Sequence, residues 1–144
     1  MKTTHLLLIG LITVFASCSD TQPKEAKAFD QKMTKTIAIH DEVMPEMSKI
    51  NQLISQLETK MDSTNIENYQ PAIDNLKSGH DKMMSWMKSF GDEFSKSEIN
   101  QGIQVKNVDS LKQHLKTLDK SFQEAKDMRD HIQEAIQEAE ALIN

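Results

Sequence analysis

Residues 108–144 read VDSLKQHLKTLDKSFQEAKDMRDHIQEAIQEAEALIN. Apolar residues recur at Val108, Leu111, Leu115, Leu118, Phe122, Ala125, Met128, Ile132, Ile136, Ala139 and Ile143, in steps of three and four. Such steps hold one stripe along one helix face, and a mean near 3.5 is the period of left-handed, coiled-coil-like packing. The stretch contains no glycine or proline. It predicts one long helix, capped by Asp109 or Ser110, with a stripe that needs partners.

The partners lie upstream. From about Lys24 to Asp62 the stripe is Met33, Ile37, His40, Met44, Met47, Asn51, Ile54, Glu58 and Met61. Pro45 interrupts it, removing one backbone donor and crowding the carbonyl of Asp41, so a kink is expected there. Asp62-Ser63-Thr64-Asn65 reads as a hairpin turn, with Asn65 or Asn68 capping the next helix. That helix runs to about Phe94 along Ile66, Tyr69, Ile73, Leu76, His80, Met83, Met87, Phe90 and Phe94. Residues 95–106 carry Ser95, Ser97, Asn100 and Gly102 and read as a loop. Glycine and proline are too scarce for a strand-rich fold. The expectation is all-α: an up-down-up three-helix antiparallel bundle with coiled-coil-like packing over residues 24–144. The outer helices are longer than the middle one. The apolar end at Ile136, Ala139, Leu142 and Ile143 is therefore a candidate surface for a protein partner or a homodimer.

The first residues have a different character. Lys2 precedes a ten-residue apolar run, Leu6 to Phe15, that ends in Phe15-Ala16-Ser17-Cys18. A basic start, a short apolar core and small residues before a cysteine make a secretory leader with a lipidation box. Ten residues are about half of what a membrane-spanning helix needs. The expectation is a signal peptide over 1–17, lipidation at Cys18 and a polar tether over 18–23. Cys18 is the only cysteine, so it has no partner for an internal disulfide. Acyl chains, palmitate among them, would hold the protein at a membrane of the cell envelope. The outer membrane is expected, with the periplasmic or surface face open. Without Lys2 the chain carries 16 basic and 22 acidic side chains, a formal charge of −6. That balance disfavours nucleic acid and anionic lipid as partners.

Two segments carry candidate ligand chemistry: His40-Asp41-Glu42-Val43-Met44-Pro45-Glu46-Met47 and Gly79-His80-Asp81-Lys82-Met83-Met84-Ser85-Trp86-Met87. Both open their motif with His-Asp and place methionines one and two turns on. Thioether and imidazole suit copper, above all Cu(I). A hairpin centred near residue 65 sets His40 near Met87 and Phe90, and His80 near Met47 and Ile50. The two histidines then stand about 15 Å apart and cannot share one ion. His114 completes a candidate set with His40, Met44 and Met87, and His80 with Met47 forms a second. The competing reading is plain packing, because methionine fills irregular cores well. Motifs for di-iron, zinc or phosphate chemistry are absent from the sequence. Asp127 and His131 are spaced to pair along a helix surface. No enzyme activity and no cofactor other than the candidate copper are expected.

The same residues, His40 to Met47, His80 with Met83 to Phe90, and Met128-Arg129-Asp130 before Ile132 and Ile136, resemble short lipoproteins of Bacteroidota. Those proteins are often named viral A-type inclusion proteins. The resemblance touches all three predicted helices. It implies a helical envelope lipoprotein without an established activity, and it brings no catalytic residues.

Overall fold

The computed structural model describes residues 22–143, and the expected leader, Cys18 and the start of the tether lie outside them. The described chain is helical, without a strand. Its elements are α1 (Lys24–Val43), α2 (Glu46–Lys60), α3 (Ile66–Glu93), α4 (Lys96–Gln101) and α5 (Val108–Ile143). Among them no helix is long and apolar enough to cross a membrane.

The first long stretch is two helices, divided at Met44–Pro45. Both residues keep helical backbone angles, φ −54 and ψ −43 for Met44 and φ −61 and ψ −30 for Pro45. The backbone thus stays helical through the break, which lies in the hydrogen bonding. Pro45 offers no N–H to the Asp41 carbonyl. Just past it the ladder tightens, with Met47 N–H donating to the Met44 carbonyl at 3.2 Å.

Turn chemistry differs from expectation at three places. Asn65 occupies the cap position of α3 but makes no side-chain cap bond. Its amide instead donates to the Lys60 carbonyl (2.9 Å), and its Oδ1 accepts from Asp62 N–H (2.7 Å), so it closes α2. The start of α5 is capped by Asn107, whose Oδ1 accepts from Ser110 N–H at 2.9 Å, ahead of Asp109 and Ser110. The expected loop 95–106 contains α4, begun by a reciprocal capping box between Ser95 and Glu98. The chain leaves α4 through Gly102 at φ 81. A Cβ there would lie 2.8 Å from Asp30 Oδ1, the oxygen that accepts from Ile103 N–H at 3.0 Å. Ile103 is buried, and Phe94 meets Phe29 edge-on at 6.0 Å. This segment thus closes one end of the molecule.

α5 is the element against which α1, α2 and α3 all pack. Along α1 and α2, rising numbers meet rising numbers: Lys32 with Asp119 (2.6 Å), Glu42 with Gln133 (3.0 Å) and Lys49 with Glu140 (2.8 Å). Along α3 the order reverses: Tyr69 with the Leu142 carbonyl (3.1 Å), Asn75 with Glu138 (2.9 Å) and Trp86 with the Ser121 carbonyl (3.0 Å). Leu111, Leu118, Ala125, Ile132 and Ala139 of α5 are fully buried, as the stripe predicts. Val108, Ile66, Met44 and Met87 were expected on the stripes and stand exposed instead, while Trp86, off the predicted stripe, is buried. The apolar C-terminal end is covered: Ile136 and Ala139 are buried beneath α2 and α3, and Leu142 and Ile143 pack against the same core.

Candidate functional site

The two His-Asp segments meet along the seam between α1/α2 and α3, on the side away from α5. On α3, Asn75, Gly79 and Trp86 mark the α5 edge through Glu138, Ile132 and Ser121. Lys77, which reaches Glu58 of α2 at 3.5 Å, marks the opposite edge. At about 100° per residue, His80, Met84 and Met87 fall on that opposite edge. On α1 and α2, Lys32, Glu42 and Lys49 mark the α5 edge. His40, Met44 and Met47 fall on the other, together with Glu58.

The register along this seam comes from His40, whose ring stacks on Trp86 with centroids 5.9 Å apart and planes 29° from parallel. That pairing brings His40 level with Met87, Met44 with Met84, and Met47 with His80. Both segments share one spacing, His-Asp-x-x-Met-x-x-Met, at 40–47 and at 80–87. Running in opposite directions, they are related by an approximate two-fold axis through the Met44–Met84 level. The two histidines are about seven residues apart along the axis, roughly 10 Å, closer than the hairpin estimate.

Each histidine has the carboxylate of the following aspartate beside its Nδ1. His40 Nδ1 lies 3.1 Å from Asp41 Oδ1, and His80 Nδ1 lies 3.6 Å from Asp81 Oδ1. At His40 the carboxylate accepts a hydrogen bond, which favours the proton on Nδ1 and leaves Nε2 as the lone pair; at His80 the carboxylate stands beyond hydrogen-bond distance and acts only as a nearby charge. His40 is about four-fifths buried and His80 nearly half exposed.

The methionines divide into two populations. Met33, Met83 and Met128 are buried in the core. Met44, Met84 and Met87 are 43%, 53% and 40% exposed, while Met47 and Met61 pack partly buried at the core's edge. Among the described residues the other exposed large apolar side chains are Ile66 and Val108. Core filling explains the buried and edge methionines and leaves Met44, Met84 and Met87 without a packing role.

His114 does not join this group. Its Nδ1 donates to the Ser110 carbonyl at 2.8 Å, and its Nε2 lies 3.8 Å from Glu98 Oε1. The pairing of α1 with α5 puts His40 near residues 127–131, about 20 Å from His114 along the axis. The candidate set His40, Met44, Met87 and His114 therefore loses its fourth member. The physical cause is the 94–107 segment, which sets where α5 begins. His131 does not pair with Asp127, whose Oδ1 accepts from Gln123 instead (2.8 Å). His131 turns toward Gly79 of α3, and its Nε2 is buried without a partner. Among the described residues no three His, Cys, Asp or Glu side chains gather as a metal site. The α3–α5 groove holds an open cleft of about 380 Å³ lined by Lys82, Ser85, Ser89, Glu124 and Asp127 over Trp86 and Met128. Its charged rim and open shape suit solvent better than an enclosed organic ligand.

Met84 belongs to the second quoted segment but to neither candidate ligand set. Its signal was present: it lies four residues after His80, as Met44 follows His40. No protein-family model, curated protein or solved structure matches this chain.

Proposed function

We propose that this chain is a non-enzymatic, lipid-anchored protein of the cell envelope whose α1/α2–α3 seam is a binding surface. The observation that carries the reading is the second population of methionines. Met44, Met84 and Met87 stand exposed, and their helix positions put all three on the seam where the repeated His-Asp segments meet. On this reading the helices form one up-down-up three-helix bundle. α1 and α2 are a single rod whose hydrogen bonding is interrupted at Pro45, α3 and α5 are the other two, and α4 caps one end. The directions of the cross-helix pairs support that arrangement.

The leader and Cys18 support the anchor. Five residue steps lead from Cys18 to Pro23, a reach of about 17 Å. The end closed by α4 then faces the membrane. His40, sixteen residues along from Lys24, stands about 24 Å beyond that end. A Cys18→Ala protein is expected to leave the membrane fraction, and its retention there would refute the anchor. Elemental analysis of the protein purified from its own envelope tests the second reading, a copper or small-ligand binder. That reading is favoured by the Nε2 lone pair of His40 and the exposed thioethers on the seam. Docking of a protein partner or a second copy on the same surface is tested by cross-linking in intact envelopes.

A further inference from the structure

We propose that the seam holds two soft monovalent metal ions, Cu(I) in class, at two sites related by the approximate two-fold axis. One site consists of His40 Nε2, Met44 Sδ and Met87 Sδ. The other consists of His80 Nε2, Met84 Sδ and Met47 Sδ. In each, a histidine and the methionine four residues later come from one helix, and a methionine comes from the facing helix. The proposal deepens the reading of the seam as a binding surface and rests on it.

Four observations converge. First, the spacing His-Asp-x-x-Met-x-x-Met occurs twice, and the stacking of His40 on Trp86 sets the antiparallel register that opposes the two copies. Residues four apart on a helix lie on one face, so each histidine and its own methionine can approach one ion. Second, Asp41 accepts from His40 Nδ1 and leaves its Nε2 for the ion, the arrangement usual for ligating histidines, and Asp81 stands 3.6 Å from His80 Nδ1, where a small ring rotation would make the same bond. Third, Met44, Met84 and Met87 are exposed and unbranched, so their thioethers can close on an ion by rotamer changes alone. Fourth, the donor set is neutral and soft. It suits Cu(I) or Ag(I) and lacks the thiolates and carboxylates that Zn(II) and harder ions prefer. The two sites lie roughly 10 Å apart along the axis, beyond the reach of a single ion.

Silver(I) is a redox-inert probe of this chemistry. Full-length mature protein, lipidated and in detergent, would be labelled with ¹³C at the methionine methyls and titrated with Ag(I) in chloride-free buffer. Uptake is expected to saturate at two equivalents with affinity tighter than micromolar. The methyl signals of Met44, Met47, Met84 and Met87 should move, while those of Met33, Met61, Met83 and Met128 stay. His40→Ala should lose one equivalent and His80→Ala the other. Trp86 is the only tryptophan and touches only the first site, so its fluorescence should respond to the ion that His40→Ala removes. Exchange of the four seam methionines for leucine should lose both equivalents with the helical circular dichroism retained. Uptake below one equivalent, shifts confined to core methionines, or undiminished uptake by the four-leucine protein would each overturn the proposal. Saturation at one equivalent that either histidine abolishes would overturn the two-site arrangement. A protein that stays folded and membrane-anchored but takes up no silver refutes the metal sites and leaves the anchor standing.

Discussion

Two glycines of α3 give a matched pair of perturbations with opposite expected signs. Alanine in place of glycine in a helix interior gains about 0.5–1 kcal/mol of backbone stability. At Gly91 nothing lies within 4 Å of the position a Cβ would take. Gly91→Ala should therefore realise that gain, less some fraying near the helix end. At Gly79 the same Cβ would lie 3.1 Å from Ile132 Cγ1 and 3.7 Å from both Ile132 Cα and His131 Cδ2. The first contact is too short for two carbons, and the backbone of α5 behind it restricts relief. Overpacking of this kind costs about 1–3 kcal/mol, which cancels or exceeds the propensity gain. Gly79→Ala is thus expected to range from neutral to about 2 kcal/mol destabilising, against a gain of up to about 1 kcal/mol for Gly91→Ala. For a chain of this size 1 kcal/mol is about 4 °C in Tm. Urea unfolding followed by circular dichroism reads both, with unchanged m-values showing that the denatured states are alike. If Gly79→Ala stabilises the protein as much as Gly91→Ala does, the close approach of α3 to α5 at this point is wrong.

Trp86→Phe removes the N–H that donates to the Ser121 carbonyl and shrinks the ring between His40 and Phe90. A loss of about 1–3 kcal/mol in urea unfolding is expected, and a loss below about 0.5 kcal/mol would show that the buried bond contributes nothing. Ser95→Ala breaks the capping box of α4 at a cost of about 1 kcal/mol. It should speed amide exchange in residues 96–101 while exchange in α5 is unchanged, and equal acceleration in both would refute a local role. The Asp62 carboxyl is held below the usual carboxylate range, first by the Thr64 hydroxyl and then by the Thr64 N–H. Its folded pKa is depressed, so its contribution to stability is complete above about pH 4 and fades as pH falls through the folded value. Titration of the carboxyl carbon by NMR should show the depression, and Thr64→Val should move the midpoint upward; no movement would refute the assigned cause.

Helix type and register were legible where the sequence is periodic and the connections are short. The stripe of α5 predicted Leu111, Leu118, Ile132 and Ala139 in the core, and they are there. The tight turn at 62–65 allowed His40 to be set against Met87 and Phe90, one position from the Trp86 it stacks on. Two features escaped for distinct reasons. Residues 95–106 read as loop because Ser95, Ser97, Asn100 and Gly102 punctuate them, although Ser95-x-x-Glu98 is a capping signature that starts α4. His114 was misplaced because a fourteen-residue connection leaves the start of α5 free to slide by several turns. That offset is decided by three-dimensional contacts such as Asp30 with Ile103 and Lys32 with Asp119, which leave no periodic trace. The exposure of Met44 and Met87 escaped because a stripe marks a face of a helix and not its width. Both lie at the margin of the face, where the neighbouring rod no longer covers them.

The parallel course of α1 and α5 has a mechanical consequence. A pull applied through the chain before Pro23 reaches the molecule at the first turn of α1 and acts along that helix's axis. To move, α1 has to slide lengthwise along α5, so the Asp30–Ile103 clasp, the Lys32–Asp119 pair and the buried seam behind them are loaded together. This is shear, in which contacts fail collectively, and it resists far more force than peeling, in which they fail one at a time. Force applied between the 60–66 turn and the end of α5 would instead peel α2 from α5. The two ends of the molecule should therefore differ in strength under single-molecule extension.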